Sequence, residues 1–255
     1  MIQIILNGCN GSMGRVVSQF IAETTDMTVV ADIDRSPNKQ TNTYPVYNHI
    51  SNCKERGDLL IDFSHHSLLP GLIQYCRTTH TPLLTATSGF TEKDYRELEA
   101  ASQEIPIFQS TNFSLGINLL IALTCYAAKS LDENFNIEIL EKYHNKKIDA
   151  PSGTTLTIAD AVKKANHEEA DFIYGRHGRT EVRKNTDIGI HSIRGGTYIG
   201  EHTVIFAGMD EIIELKHVAL SKNIFALGAL TCSRFLVHQE TGLYHMKDLL
   251  ALSKQ

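Results

Sequence analysis

The sequence predicts an α/β fold for its first part and a second, α+β part with an open sheet. Three observations carry that reading. Short apolar runs alternate with amphipathic stretches over residues 2–110, joined by short connections, the pattern of a parallel sheet covered on both faces. A glycine-spaced turn, Gly8-Cys9-Asn10-Gly11-Ser12-Met13-Gly14, closes the first apolar run and opens the first amphipathic one. After Asn112 the alternation gives way to a long apolar helix and then to successive strand-like runs separated by glycines.

Taken in order, residues 2–6 read as a buried strand and 13–23 as a helix. Residues 28–33 are a second strand, rich in β-branched side chains. The polar, proline-bearing stretch 36–47 reads as a loop. Strands at 59–63, 82–87 and 105–110 alternate with helices at 68–78 and 92–103. Beyond Asn112, residues 115–129 predict a long helix and 136–141 a strand. A helix at 155–165 carries apolar residues at Leu156, Ile158, Ala159 and Val162, one face of a 3.6-residue period. A basic, glycine-containing loop follows at 174–183, then three strand-like runs at 188–193, 198–206 and 211–218. Helices at 224–237 and 246–252 end the chain. These pattern changes divide it into residues 1–112 with 222–255 and residues 113–221.

A chain of 255 residues with 42% hydrophobic and 21% charged residues is an ordinary globular protein. Its net charge of -5 offers no basic field for nucleic acid or an anionic membrane. Its apolar runs are too short to span a bilayer. The start, MIQIILNG, carries no charged leader or small-residue cleavage site, so no signal peptide is expected. The five cysteines are odd in number and form no CxxC pair, which fits reduced thiols in the cytoplasm. The twelve histidines contain no HExxH pair, and no metal is expected.

In the glycine turn, Gly8 allows the tight bend, Gly11 lets the backbone approach a pyrophosphate, and Gly14 permits close packing of helix on strand. The spacing is GxxGxxG rather than GxGxxG. An acid about twenty residues on would accept hydrogen bonds from the adenosine ribose. Asp34 ends the second strand; Asp32 points to the same face, and register does not separate the two. Arg35 could meet a 2′-phosphate that Asp34 would repel, so the pair predicts tolerance of both NADH and NADPH. Two further loops sit at carboxyl ends of predicted strands, where open parallel sheets bind ligands. They are Ala86-Thr87-Ser88 and Ser110-Thr111-Asn112-Phe113. A third, Asp62 to His66, places His65 where it could face the pyrophosphate.

The segment 141–155, EKYHNKKIDAPSGTT, gathers Tyr143, His144, Lys146 and Lys147 ahead of a Pro-Ser-Gly turn that starts a helix. The first N–H groups of a helix lack internal partners and bind anions. Cations beside such a terminus suggest a pocket for a carboxylate- or phosphate-bearing small molecule; a solvated loop with a well-capped helix would read the same way. Arg176, Arg179, Arg183 and Arg194 could add to the field, although a solvated face accounts for most of them.

These residues together resemble the 4-hydroxy-tetrahydrodipicolinate reductases, formerly dihydrodipicolinate reductases, of lysine and diaminopimelate biosynthesis. The resemblance runs end to end. It rests on the turn Gly8 to Gly14, on Thr87-Ser88-Gly89-Phe90, on Asn112-Phe113-Ser114, and above all on Lys147-Ile148-Asp149-Ala150-Pro151-Ser152-Gly153-Thr154. Gly195-Gly196 and Gly200-Glu201-His202-Thr203 add to it. It implies a Rossmann-like domain built from both chain ends, an intervening domain whose open mixed sheet builds a homotetramer, NADH or NADPH as hydride donor, and a cyclic dicarboxylate as substrate. It implies cofactor contacts at Gly8, Cys9, Asn10, Gly11, Ser12, Met13, Asp34, Arg35, Ala86, Thr87, Ser88, Ser110, Thr111, Asn112 and Phe113. Substrate contacts fall at His144, Gly153 and Thr154, with Ser152 beside them, and Lys147 is the implied proton donor.

One departure stands out. Many members carry two adjacent histidines where this chain has Tyr143-His144. A tyrosine, with a reference pKa near 10 against about 6.5 for histidine, does not cycle easily as acid and base at neutral pH. Weight therefore shifts to Lys147, with Tyr143 to orient the substrate, relay a proton or simply pack. A semialdehyde dehydrogenase would need a nucleophilic cysteine beside a base, which neither Cys125 nor Cys232 offers. A non-catalytic nucleotide-sensing protein or scaffold of the same fold is the reading from another class.

Overall fold

A computed structural model describes residues 1–39, 41–131, 133–166, 169–179 and 182–252. The chain forms two compact units, Met1–Ser114 with Asn223–Gln255, and Leu115–Lys222. The first opens on β1 (Ile2–Asn7), where Ile4, Ile5 and Leu6 are fully buried. Helix α1 (Ser12–Ala22) turns Gly14, Val17 and Ile21 inward, the three- and four-residue spacing of one helix face. There follow β2 (Met27–Ile33), β3 (Val46–Tyr47), β4 (Leu59–Asp62), α2 (Leu69–Thr79), β5 (Leu83–Thr85), α3 (Glu92–Ala101) and β6 (Pro106–Gln109). A reciprocal capping box between Thr91 and Asp94 starts α3, satisfying donors that a helix end leaves open.

The second unit begins with α4 (Leu115–Ser130) and β7 (Asn136–Tyr143), then α5 (Gly153–Asn166), β8 (Asp171–Tyr174), β9 (Asp187–Arg194), β10 (Gly200–Ala207) and β11 (Ile212–Ala219). Its strands lie in the order β11-β10-β7-β9-β8. β10 runs antiparallel to both neighbours, whereas β7, β9 and β8 are parallel, so the sheet is mixed. One face buries Ile137, Ile139, Ile188, Ile190, Val204 and Phe206 against Ile117 and Leu120 of α4 and Ile158, Ala159 and Val162 of α5. The other face carries Glu138, Lys142, Glu201 and Lys216, with Ile193, Ile212 and Val218 exposed.

The chain then returns to the first unit through α6 (Asn223–Leu236), β12 (Gly242–Tyr244) and α7 (Met246–Leu252). The first sheet has the order β12-β6-β5-β4-β1-β2-β3 and is parallel throughout. The chain fills one side of β1 first and then crosses to the other, so the order reverses between β1 and β4. Ligands of such sheets bind outside the carboxyl ends at that switch point.

Three short strands depart from the sequence reading: β3, β8 and β12 hold two, four and three residues, too few to show a period. Tyr174 belongs to β8 rather than to the basic loop. Thr180 and Glu181 of that loop lie outside the described residues. Helix α5 starts at Gly153, two residues ahead of expectation. β10 starts at Gly200 rather than 198, and ahead of it the Tyr198 carbonyl accepts from the His144 N–H at 2.9 Å.

Candidate active site

Asn7 and Asp62 end β1 and β4 and are paired in register at the switch point. The buried Asp62 carboxylate collects the neighbouring loops. It accepts from Asn7 Nδ2 at 2.8 Å, Thr85 Oγ1 at 3.1 Å and Thr87 Oγ1 at 2.8 Å. Its carbonyl accepts from the Ala86 N–H at 2.9 Å. The loop bearing Ala86, Thr87 and Ser88 is thus fastened by an acid that the sequence reading did not select. The available signal was an acid ending an apolar strand.

The glycine turn needs its glycines for different reasons. Gly8 has φ of +101°, a region that side chains avoid. A Cβ on Gly14 would stand 2.0 Å from the Gly8 carbonyl oxygen. Both candidate acids grip the turn: Asp32 accepts from the Cys9 N–H at 3.2 Å and Asp34 from the Asn10 N–H at 3.0 Å. Cys9 and Asn10 are themselves buried, while Ser12 is exposed. Asp32 has no exposed surface, and burial pushes its carboxyl up to about 8. Asp34 instead lines a cavity of about 300 Å³ together with Gly8, Gly11, Arg35, His49 and His65. Among the described residues no side chain caps the first turn of α1, so the turn's end remains an anion site. An open helix terminus, glycine backbone and an acid and arginine in one cavity suit a dinucleotide.

Ser110 and Asn112 form a local turn: Ser110 Oγ donates to the Asn112 carbonyl at 2.9 Å and accepts from the Asn112 N–H at 3.1 Å. Thr111 is exposed. Phe113 is buried against Phe63 and Phe108, with ring centroids 6.1 and 5.9 Å away. Its carbonyl lies where a Cβ on Gly228 would come within 1.7 Å. The structure therefore gives Phe113 a packing role.

In the second unit, Glu141 organises the segment that follows it. Its side chain is wholly buried and accepts from the Ser152 N–H at 2.9 Å, Thr155 Oγ1 at 2.6 Å, Ser192 Oγ at 2.8 Å and Arg194 Nη2 at 2.6 Å. Burial alone would raise its pKa, but the bonds from Ser152, Thr155 and Arg194 outweigh it and hold the carboxyl down at about 2. One carboxylate thus ties the start of α5 to β7 and β9. Ser152 is buried, and its hydroxyl also accepts from the Thr155 N–H at 3.2 Å. A Cβ on Gly153 would meet nothing within 4 Å, so the protein itself does not call for glycine there.

Tyr143 lies beside this helix start. Lys147 Nζ stands 4.7 Å from the centroid of its ring and Arg194 Cζ 5.5 Å. Such cations are attracted to an aromatic face. Lys147 donates to both oxygens of Asp149 at 2.8 Å and pulls that carboxyl below its ordinary range. The Tyr143 hydroxyl is 3.2 Å from Nε2 of the buried His202. His144 keeps a buried Nδ1 without a partner among the described residues. Arg194, one of the four arginines that could add to the field, belongs to this cluster. Arg176 and Arg183 do not: both pair with Glu138 on the opposite sheet face.

Cys125 and Cys232 offer no ready nucleophile, because burial raises the first thiol and pushes the second up to about 12. Among the described residues, no three His, Cys, Asp or Glu side chains are grouped to hold a metal ion, and no helix is long and apolar enough to cross a membrane.

Two family models match the chain, "Dihydrodipicolinate reductase, N-terminus" over residues 2–113 and "Dihydrodipicolinate reductase, C-terminus" over residues 116–250. The chain belongs to the dihydrodipicolinate reductase family. Its relatives include a 4-hydroxy-tetrahydrodipicolinate reductase of Caldanaerobacter subterraneus subsp. tengcongensis, 48% identical over 98% of each chain. Another, from Clostridium botulinum, is 41% identical over the whole of both chains. A solved structure of a dipicolinate-bound dihydrodipicolinate reductase from Paenisporosarcina sp. TG-14 shares the fold, with a TM-score of 0.81 over 96% of this chain and 97% of that one at 22% identity. Membership makes the chain an NAD(P)H-dependent oxidoreductase, and the N-terminal match assigns the nucleotide to the first unit.

Proposed function

We propose that the chain reduces 4-hydroxy-tetrahydrodipicolinate to tetrahydrodipicolinate with loss of water, in lysine and diaminopimelate biosynthesis. The observation that carries this reading is the second-unit cluster: Lys147 and Arg194 against Tyr143, beside a helix start whose Gly153 faces open space. That arrangement suits a small cyclic dicarboxylate. His144, Gly153 and Thr154 bind one carboxylate at the start of α5, Ser152 beneath them gives its N–H to Glu141 and its O–H to Thr155, and the cations offset the remaining charge.

NADH or NADPH, held by the glycine turn, Asp34 and Arg35 with Ala86 to Ser88 and Ser110 to Asn112, supplies the hydride when bound. Lys147, as an ammonium, gives its proton to the carbon next to the one reduced. Tyr143 presents its hydroxyl to the substrate. Glu141 keeps Arg194 and the α5 start in place and takes no part in proton transfer, since its carboxyl is already committed to four donors.

The assignment is tested by NADH oxidation with freshly generated 4-hydroxy-tetrahydrodipicolinate. Lys147→Ala should cut kcat by roughly 10²–10⁴, the usual contribution of a positioned acid, while NADH affinity stays unchanged. Near-normal turnover in that variant would remove Lys147 from the role. A wild-type protein that binds NADH but turns nothing over would point to the nucleotide-sensing or scaffold reading.

The first unit serves the dinucleotide in this reading, and the second serves substrate and assembly as a cytoplasmic homotetramer. The sheet face bearing Ile193, Ile212 and Val218 supports the assembly, because both helices of the unit pack on the other face. Sedimentation at micromolar concentration tests it: a monomer would refute the assembly.

A further inference from the structure

His202 sits on β10 directly opposite Glu141 of β7, on the sheet face that carries the cluster. Its side chain is 2% exposed, its ring stands edge-on to Tyr143 with centroids 5.5 Å apart, and its Nε2 is 3.2 Å from the Tyr143 hydroxyl. Its Nδ1 is buried and has no partner among the described residues. Burial pushes its pKa down to about 4, against a weaker opposing pull from Glu141, so the imidazole is neutral at neutral pH and carries one N–H.

That single proton has two places. On Nδ1 it would leave a buried N–H without an acceptor. On Nε2 it is given to the tyrosine oxygen and leaves only a bare lone pair behind. Unpaired buried N–H groups are the rarer and costlier of the two. Among the described residues, no neighbour offers Nδ1 an acceptor. His217, opposite on β11 and on the same face, has its own Nδ1 without a partner among the described residues, and Glu141 is fully engaged. The proton therefore belongs on Nε2. A phenol has one hydrogen, and an oxygen that accepts from His202 must send that hydrogen elsewhere. The ring leaves little choice of direction. Lys147 and Arg194 lie against it, and a Cβ on Gly200 would crowd it at 3.1 Å.

We propose that His202 is a positioning residue, which donates its Nε2–H to the Tyr143 oxygen and thereby turns the one phenolic hydrogen toward the substrate. Tyr143 then serves as a fixed O–H donor to charge that develops during reduction, and keeps its proton. This inference rests on the proposed reduction, in which Lys147 supplies the proton.

Two measurements test it. In the first, Tyr143→Phe and His202→Leu are compared singly and together. Each should lower kcat by about a hundredfold, the lower end of what losing one such donor costs, with little change in KM. The double variant should be no slower than Tyr143→Phe alone. His202→Gln, whose amide N–H can reach the same oxygen, should recover most of the rate. Multiplying losses, or an unaffected Tyr143→Phe, would overturn the role while leaving the overall reaction standing. The second is ¹⁵N NMR of the histidine side chains of the intact protein, with His202 assigned by the signal missing in His202→Gln. Protonated Nε2 with bare Nδ1 is expected. Protonated Nδ1 overturns the proposal whether or not the reductase assay succeeds.

Discussion

Glu141 and Gly153 respond in opposite ways to substitution, because one answers to the protein and the other to open space. The Glu141 carboxyl is held at about 2 by hydrogen bonds that exist only in the fold, against 4.5 ordinarily. A depressed carboxylate contributes stability that is present above its unfolded pKa and lost as pH falls through its folded one. We predict that Glu141→Gln costs about 3 kcal/mol at pH 7, since breaking a buried pair strands the Arg194 charge. The gap should close as pH falls from about 4.5 toward 2, as urea denaturation across that range would show. Equal stabilities at pH 7 would mean that the four contacts contribute nothing net. Gly153 is the contrast, since an added methyl meets no protein atom. Gly153→Ala should leave the melting temperature within about 2 °C of wild type, as expected where no packing changes. The methyl should still raise KM for the dicarboxylate. A normal KM would show that the substrate does not approach this backbone.

The glycine turn joins β1 to α1 so tightly that the two elements behave as one. Because a Cβ on Gly14 would enter the Gly8 carbonyl at 2.0 Å, Gly14→Ala should force α1 away from β1. It should cost about 1–3 kcal/mol, the usual range for overpacking, and weaken NADH binding, both readable by thermal shift with and without cofactor. Unchanged NADH affinity would separate the turn from the cofactor. This turn was legible in the sequence, as was the Pro-Ser-Gly-Thr start of α5, because their residues are contiguous and their chemistry is local. The long strands and helices were legible for a similar reason, since each carries a complete period of apolar residues. What was not legible came from register. Asp62 reaches Asn7, Thr85 and Thr87 only because β4 lies between β1 and β5. Arg194 meets Glu141 only because β9 runs parallel to β7. β12, three residues long, becomes a strand by joining β6, a pairing that nothing in its own sequence announces.

Over the whole molecule, buried titratable groups pull stability in opposite directions as pH changes. His202 of the second unit has its pKa lowered to about 4 by burial, so its contribution is present above about 6.5 and is lost as pH falls through 4. Glu141 adds a further loss below that. Asp32 of the first unit works the other way. Burial raises its carboxyl from 3.8 to about 8, so the folded chain keeps a proton that the unfolded chain has released. A raised acid favours the fold most below its unfolded pKa, and that contribution drains away as pH rises toward 8. The second unit should therefore weaken first in acid and the first unit first in mild alkali. Asp32→Asn isolates the alkaline arm, because the amide oxygen can still accept from the Cys9 N–H while the ionisable group is gone. Calorimetry of wild type and Asp32→Asn should give matching melting temperatures near pH 4. The variant should then gain a lead that widens as pH rises and levels off above about 8, with NADH affinity retained throughout. Melting curves that stay parallel from pH 4 to 9 would mean that Asp32 ionises in the fold as readily as outside it, and that the glycine turn is held by a carboxylate rather than by a carboxylic acid.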